Sequence, residues 1–242
     1  MSRLLDNLNE VRDAIARSAA RSGRAARDVT LVAVTKYVDV VVIEQLIAAG
    51  CHDLGEARPQ ALWQKAAALR ASTGTATGIA PAEPRWHMIG HLQRNKVEQT
   101  LPLVSLVHSA DSLRLIAAID SAATHRQRVA DILLEVNISG DVGKHGFAPA
   151  EIEPSLPAIA AYHSIRVRGL MAMASREGDD ARRDFVRLRE LRDQLRANLP
   201  PAISLDELSM GMSDDFEVAI EEGATLVRVG SSLYEGLMLE RA

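Results

Sequence analysis

The sequence predicts an α/β protein, a single (β/α)8 TIM barrel with an extra N-terminal helix, and three observations carry that expectation. Short β-branched runs recur eight times, and segments of helical periodicity separate them. The chain, at 242 residues, matches the roughly 250 that one such barrel needs. Length alone also fits two small domains, and an open doubly wound sheet is the competing topology, but eight strand–helix units within one domain's length favour closure. Domain organisation is therefore read as 1–242 in one unit, with a helix in 1–28 and the barrel over 31–236.

The first 28 residues, "MSRLLDNLNEVRDAIARSAARSGRAARD", are broken by charge every few positions. Asp6, Glu10 and Asp13 suit an amphipathic surface helix better than a transit peptide, and no window of about 18 uncharged apolar residues marks a signal or a membrane span. "LVAVT" (31–35) is the first strand, followed by a helix over 39–49 with Asp39 as N-cap and Gly50 as stop. "HDLG" (52–55) leads to a helix over 58–70 and then to "ASTGTATGIAPAEP" (71–84), whose composition reads as a surface insertion and not a domain linker. "WHMIG" (86–90) and "LVHS" (106–109) come next, with a helix over 111–122 capped by Asp111. "ILLEVN" (132–137), "IRVRGLMAM" (165–173) and "DELSMG" (206–211) precede helices over 149–161, 179–197 and 214–222, the last capped by Ser213 and stopped by Gly223. "TLVRVG" (225–230) is the eighth strand, followed by a short last helix.

Composition narrows the function. With 47% hydrophobic and 25% charged residues the chain has the make-up of a folded globular protein. A net charge of −4 gives no basic footprint for nucleic acid, and nothing points to a membrane, so the expected ligand is small and the expected location the cytoplasm. The one cysteine, Cys51, has apolar neighbours and reads as a buried, inert thiol.

In a barrel the chemistry sits at the C-terminal ends of the strands. Lys36 follows the first run directly. It is either a solvated rim charge or an amine turned into the barrel mouth, where desolvation disfavours the ammonium and frees a nucleophile able to form an imine with a carbonyl. The seventh and eighth runs end in small residues, Ser209, Gly211 and Ser213 in "SMGMS" and Gly230, Ser231 and Ser232 in "VGSS". Either these make tight turns and caps, or together they form a phosphate cup at the place where barrels frequently bind phosphate. Arg228, inside the last strand, should point toward the barrel axis. His87 and His91 lie four apart in "WHMIGHLQRNK", but no HExxH and no third clustered ligand accompany them. Packing or hydrogen bonding is therefore expected of them, and no metal site. His52, His108 and His145 carry no signal alone, and "RRDFVRLRELRDQLR" (182–196) reads as a solvated helix face.

The motifs "LVAVTKYVDVVVIEQLIAAGCHDLGEARPQ", "WHMIGHLQRNKV", "HSADSLRLI", "LLEVNISGDVGKHGF", "RGLMAMA" and "LSMGMSDDFEVAIEEGATLVRVGSSLYEG" together resemble the pyridoxal phosphate homeostasis proteins, relatives of the alanine racemase barrel domain, from about residue 31 to 236. The resemblance implies a barrel holding pyridoxal 5'-phosphate (PLP). Lys36 would be the Schiff-base lysine, and Ser209, Gly211, Met212 and Ser213 with Gly230 and Ser231 the phosphate site. Arg228 would face the pyridine nitrogen. Two departures stand out. Ala57 replaces the Asn usual after the glutamate of the "GEN" motif, leaving a polar contact missing or taken over by Arg58, and Ser231 replaces the commoner Thr but keeps a hydroxyl.

A PLP enzyme also needs an acid or base placed at the substrate's α-carbon. The racemases of the related fold take theirs, a tyrosine, from a second domain for which this chain has no residues, and an arginine at the ring nitrogen weakens the electron sink. The expectation is a monomeric PLP carrier that stores, buffers or hands the cofactor to PLP-requiring apoenzymes, and not an enzyme. The alternatives are a PLP-dependent racemase or decarboxylase with Tyr37 or His87 as proton donor, and a class I aldolase in which Lys36 attacks a sugar-phosphate carbonyl.

Overall fold

The structure is a computed structural model that describes residues 2–73, 83–175, 178–200 and 203–237. Eight parallel strands close into a barrel in chain order, β1 to β8, with β8 pairing back onto β1. They are β1 (Thr30–Val34), β2 (Asp53–Glu56), β3 (Arg85–Met88), β4 (Val104–Ala110), β5 (Ala130–Glu135), β6 (Ile165–Met171), β7 (Ile203–Ser209) and β8 (Leu226–Val229). Each falls on a run anticipated from the sequence. Strands covered on both faces select near-continuous apolar, β-branched stretches, which is why these runs are visible.

The helices are α1 (Arg3–Arg21), α2 (Val40–Ala48), α3 (Pro59–Thr73), α4 (Val97–Thr100), α5 (Leu113–His125), α6 (Pro149–Ala160), α7 (Gly178–Arg196), α8 (Phe216–Glu221) and α9 (Ser231–Tyr234). The β3–β4 crossover is only α4 between two 3-10 turns. α3 runs to Thr73, three residues into the anticipated 71–84 insertion, of which 74–82 lie outside the described residues. Among the described residues no helix is long and apolar enough to cross a membrane.

Asp39 caps α2 as expected, its carboxylate accepting from the Val42 N–H at 3.0 Å, and Gly50 and Gly223 stop their helices with φ of +76° and +99°. Two other caps fall elsewhere. α5 is capped by Ser112 and not Asp111, because the Asp111 carboxylate is engaged by the Ser112 hydroxyl and by His91. α8 has Asp215 at its N-cap and not Ser213, whose hydroxyl faces the turn after β8 instead.

Two apolar regions hold the fold. The larger packs the outer faces of the strands against the helices. The smaller fills the barrel with Val32, Leu106, Leu133, Met171 and Leu226, a layer of buried side chains from β1, β4, β5, β6 and β8. The eighth helix of the barrel, α9, has only four residues. α1 packs against α8 and α9 and thereby supplies the missing cover.

Candidate functional site

Side chains on a strand return to the same face every second residue, so the positions two beyond the apolar layer also point inward, one step nearer the C-terminal mouth. They are polar on three strands: His108 beyond Leu106, Glu135 beyond Leu133 and Arg228 beyond Leu226, all buried. Arg228 therefore lies inside the barrel, as its place in the strand required. It donates to Ser209 Oγ at 2.5 Å and to the Ala172 carbonyl at 3.0 Å. Burial lowers its pKa to about 10, against the raising effect of Asp215 and Glu135, so it stays a cation at neutral pH.

From Ser209 the polar contacts continue through the barrel. Its Oγ is 2.8 Å from His108 Nδ1, His108 Nε2 is 2.8 Å from His87 Nδ1, and His87 Nε2 is 3.1 Å from Asp53 Oδ1. Arg85, at the opposite end, grips Asp53 with two N–H groups. The proton positions follow from the ends. An ionised aspartate only accepts, so with neutral imidazoles His87 donates to Asp53, His108 to His87, and Ser209 to His108. In that arrangement each tautomer is fixed. The titration behaviour agrees. Burial, with His87 and Arg228 nearby, drives the His108 pKa well below its ordinary value. Burial alone would raise Asp53, but hydrogen bonds from His87 and Arg85 outweigh it and hold the carboxyl at about 2.

Glu135 also opens on this mouth. Burial, reinforced by Asp111 and opposed by Arg228, raises its carboxyl to about 7.

Lys36 lies two residues past the end of β1. The sequence allowed it to be desolvated, but the structure leaves it exposed, with Nζ 4.7 Å from the centre of the Tyr37 ring, because the buried run from β1 ends at Thr35, just past the strand. What is buried is the brace beneath it. Glu56 is wholly buried, and its Oε2 accepts from Lys65 Nζ at 2.6 Å and from Thr35 Oγ1 at 3.1 Å. Lys65 also donates to the Thr35 carbonyl at 2.7 Å. Glu56 Oε1 takes the Ala57 N–H at 2.9 Å. Beside Ala57, the Arg58 side chain is exposed and makes no hydrogen bond or ion pair among the described residues.

The turns after β7 and β8 lie side by side. The Arg228 N–H donates to the Gly211 carbonyl, and Ser213 Oγ accepts from the Gly230 N–H at 3.1 Å and the Ser232 N–H at 3.4 Å. Gly211 has φ +92°, and a Cβ there would lie 2.6 Å from that of Ala219. The close approach of α8 to this turn thus requires glycine. Met212 and Ser231 are exposed at the rim. Ser209 does not join them: it is fully buried at the end of β7, with its hydroxyl committed to Arg228 and His108. Across the β1–β8 seam Ala33 is registered with Val229, which puts Gly230 beside Val34 and the cup next to the Lys36 segment. An exposed amine, N–H-rich small-residue turns and a buried cation in one mouth form a donor set that fits an aldehyde-bearing, phosphorylated heteroaromatic ligand.

Sequence reasoning missed Asp53, His108, Glu135 and Lys65. For His108 and Glu135 the two-residue spacing from an inward apolar residue was a usable signal. Lys65 carried none, since its partner lies on another element.

The alanine racemase N-terminal domain family matches residues 9–237. A pyridoxal phosphate homeostasis protein from Aquifex aeolicus is 36% identical, with 95% of this chain and 96% of that protein covered. The solved structure of PipY from Synechococcus elongatus PCC7942 with PLP bound is 28% identical with a TM-score of 0.78, covering 96% of this chain and 99% of that one. An alanine racemase from Clostridium difficile 630, 17% identical, shares the barrel at a TM-score of 0.71, with 96% of this chain matched to 56% of the enzyme.

Proposed function

This chain belongs to the pyridoxal phosphate homeostasis proteins, within the alanine racemase N-terminal domain family, and on that premise we propose that it binds PLP covalently through Lys36 and serves as a cytoplasmic, monomeric reservoir of the cofactor. The observation that supports this reading is the β1–β8 seam, whose register brings Gly230 against Val34, two residues before Lys36. When bound, PLP supplies an aldehyde and an electron-withdrawing ring. The chain does the rest. Lys36 provides the amine, and the exposed Ser231 and Met212 turns, converging on Ser213, receive the phosphate. Arg228 presents N–H groups not used by Ser209 and Ala172 to the ring nitrogen. Because Arg228 is a fixed cation and only donates, it holds the ring without adding a proton to it, which suits retention better than α-carbon chemistry. Release to PLP-requiring apoenzymes follows from the exposure of Lys36 at the rim.

The second reading, a PLP-dependent racemase or decarboxylase, rests on one observation: the Tyr37 side chain is 61% exposed directly against Lys36. His87, the other proton donor considered, is buried and bonded at both ring nitrogens.

The protein mixed with PLP should develop a visible absorption band, which borohydride should fix as an adduct on the peptide containing Lys36. Lys36→Ala should give neither band nor adduct. A protein that takes up no PLP, or an adduct that survives the substitution, would overturn the reading. Exchange of an amino acid's α-proton in deuterated water, lost on Tyr37→Phe, would favour the enzyme instead.

A further inference from the structure

Three side chains from three different loops converge on the other side of the barrel mouth. His91 follows β3, Asp111 follows β4, and His145 lies between β5 and α6. One ligand atom from each lies within 4.8 Å of the other two. We propose that His91, Asp111 and His145 form a binding site for a divalent transition-metal ion of the zinc class.

The carboxylate is the prepared element. Asp111's side chain is only 8% exposed, and the Ser112 hydroxyl occupies its Oδ1 at 2.9 Å, so Oδ2 is the oxygen turned to the imidazoles. A buried ligand oriented by a neighbouring hydroxyl is how metal sites fix their geometry. His91 Nδ1 is 2.9 Å from Oδ2 and His145 Nδ1 is 4.0 Å from it, the latter too far to hydrogen-bond. Ligands about 2.0–2.2 Å from a tetrahedral zinc lie about 3.3 Å from one another, between these two separations. The two histidine–carboxylate separations thus bracket the tetrahedral value, and both histidines, on loops and well exposed, are free to move.

The rings stack with centroids 4.2 Å apart and planes 15° from parallel. Imidazole lone pairs lie in the ring plane, so joint ligation requires one of these exposed rings to turn out of the stack, a rotation about a soft terminal torsion. The competing ammonium is held elsewhere, since Lys144 pairs with Asp141 at 2.6 Å. Two imidazoles and one carboxylate are the donor set that zinc, cobalt and nickel accept, and they leave a coordination position open. His91 and Asp111 also line a cavity of about 540 Å³ with Gln93, Arg94, Asn95 and Arg114, so that position has solvent access beside two basic side chains.

The inference is independent of the cofactor reading, because the cluster shares no residue with Lys36, Arg228 or the two turns. Equilibrium dialysis of the tag-free, full-length protein against ZnCl2, with and without PLP, should show stoichiometric uptake in both states. CoCl2 should give tetrahedral d–d absorption. His145→Ala and His91→Ala should each lose the uptake, the cobalt spectrum and any zinc-induced rise in Tm, with the far-UV circular dichroism of the wild type retained. His145 is 59% exposed on its side chain, so its substitution tests ligation without threatening the fold. No stoichiometric uptake, uptake that survives both substitutions, or uptake abolished by PLP would each overturn the proposal.

Discussion

Asp53 decides more than its place at the first position of β2 suggests. As the terminal acceptor of the chain through His87, His108 and Ser209, it fixes every tautomer up to Arg228. Asn in its place presents both a donor and an acceptor, so the direction of the chain is no longer dictated. The pH consequence has a definite sign. The Asp53 pKa is about 2 in the folded protein, below its ordinary 3.8, so its ionisation stabilises the native state. That contribution is fully present above about pH 4 and is lost as pH falls toward 2. Exposed Arg85 screens part of it, and it is of order 1–2 kcal/mol. Urea unfolding of the wild type should show this loss between about pH 4 and 2, and Asp53→Asn should be less stable at pH 7 and lose less across the same interval. An equally steep acid limb in the variant would remove Asp53 from this role.

At the level of elements, the two turns that converge on Ser213 should respond unequally to a methyl group. At Gly211 a Cβ would meet Ala219 Cβ at 2.6 Å and Phe216 Cα at 2.9 Å, with φ at +92°. At Gly230 it would meet Val34 Cβ at 3.3 Å with an ordinary negative φ of −128°. Gly211→Ala is expected to cost about 1–3 kcal/mol in chemical denaturation and to weaken PLP uptake. Gly230→Ala should cost less, and equal losses would show that the clash with α8 is not decisive. The same turns mark what the sequence could reveal. Gly211 and Gly230 stand out because a glycine at a strand end is a local signal, and the eight strands stand out because burial on both faces is written in β-branched runs. The caps at Asp111 and Ser213 misled because their side chains answer to neighbours distant in sequence, His91 in one case and Gly230 in the other. Ser209 looked like part of the cup for the opposite reason: proximity in sequence hid that it faces Arg228 and His108 inside the barrel. His91, Asp111 and His145 come together only when β3, β4 and β5 stand side by side, and no spacing along the chain announces that.

In the whole molecule, the barrel is closed on the outside by a helix that precedes it in sequence. α9 is too short to cover the β8–β1 seam, and α1 covers it by bonding to the ends of its neighbours. Arg12 donates to the Ala49 carbonyl at the C-terminus of α2, and Arg24, just past α1, donates to the Ile220 carbonyl in the last turn of α8 and to the Ala224 carbonyl beyond it, supplying partners where a helix end leaves carbonyls open. The apolar stripe Leu4, Leu8, Val11 and Ile15, legible in the sequence as an amphipathic helix, is the buried face of this cover. Asn7 lies on the same face, is 2% exposed, and its amide donates to the Leu233 and Glu235 carbonyls at 3.1 and 2.9 Å. Those carbonyls end α9, the helix that begins at Ser231, so α1 braces from behind the turn proposed to receive the phosphate. Asn7→Ala removes the donor to the buried Leu233 carbonyl and leaves the Glu235 carbonyl with only the longer bond from Arg3 Nε at 3.3 Å, at a cost of about 1–3 kcal/mol. It should therefore lower stability in urea and also loosen PLP, read as a faster loss of the visible band on dialysis. Leu4→Ala, which thins the same packed face but leaves both hydrogen bonds in place, is the control. If at matched loss of stability the two variants release PLP at the same rate, α1 acts only as packing. Faster release from Asn7→Ala alone would establish that the N-terminal helix holds the cofactor turn in place.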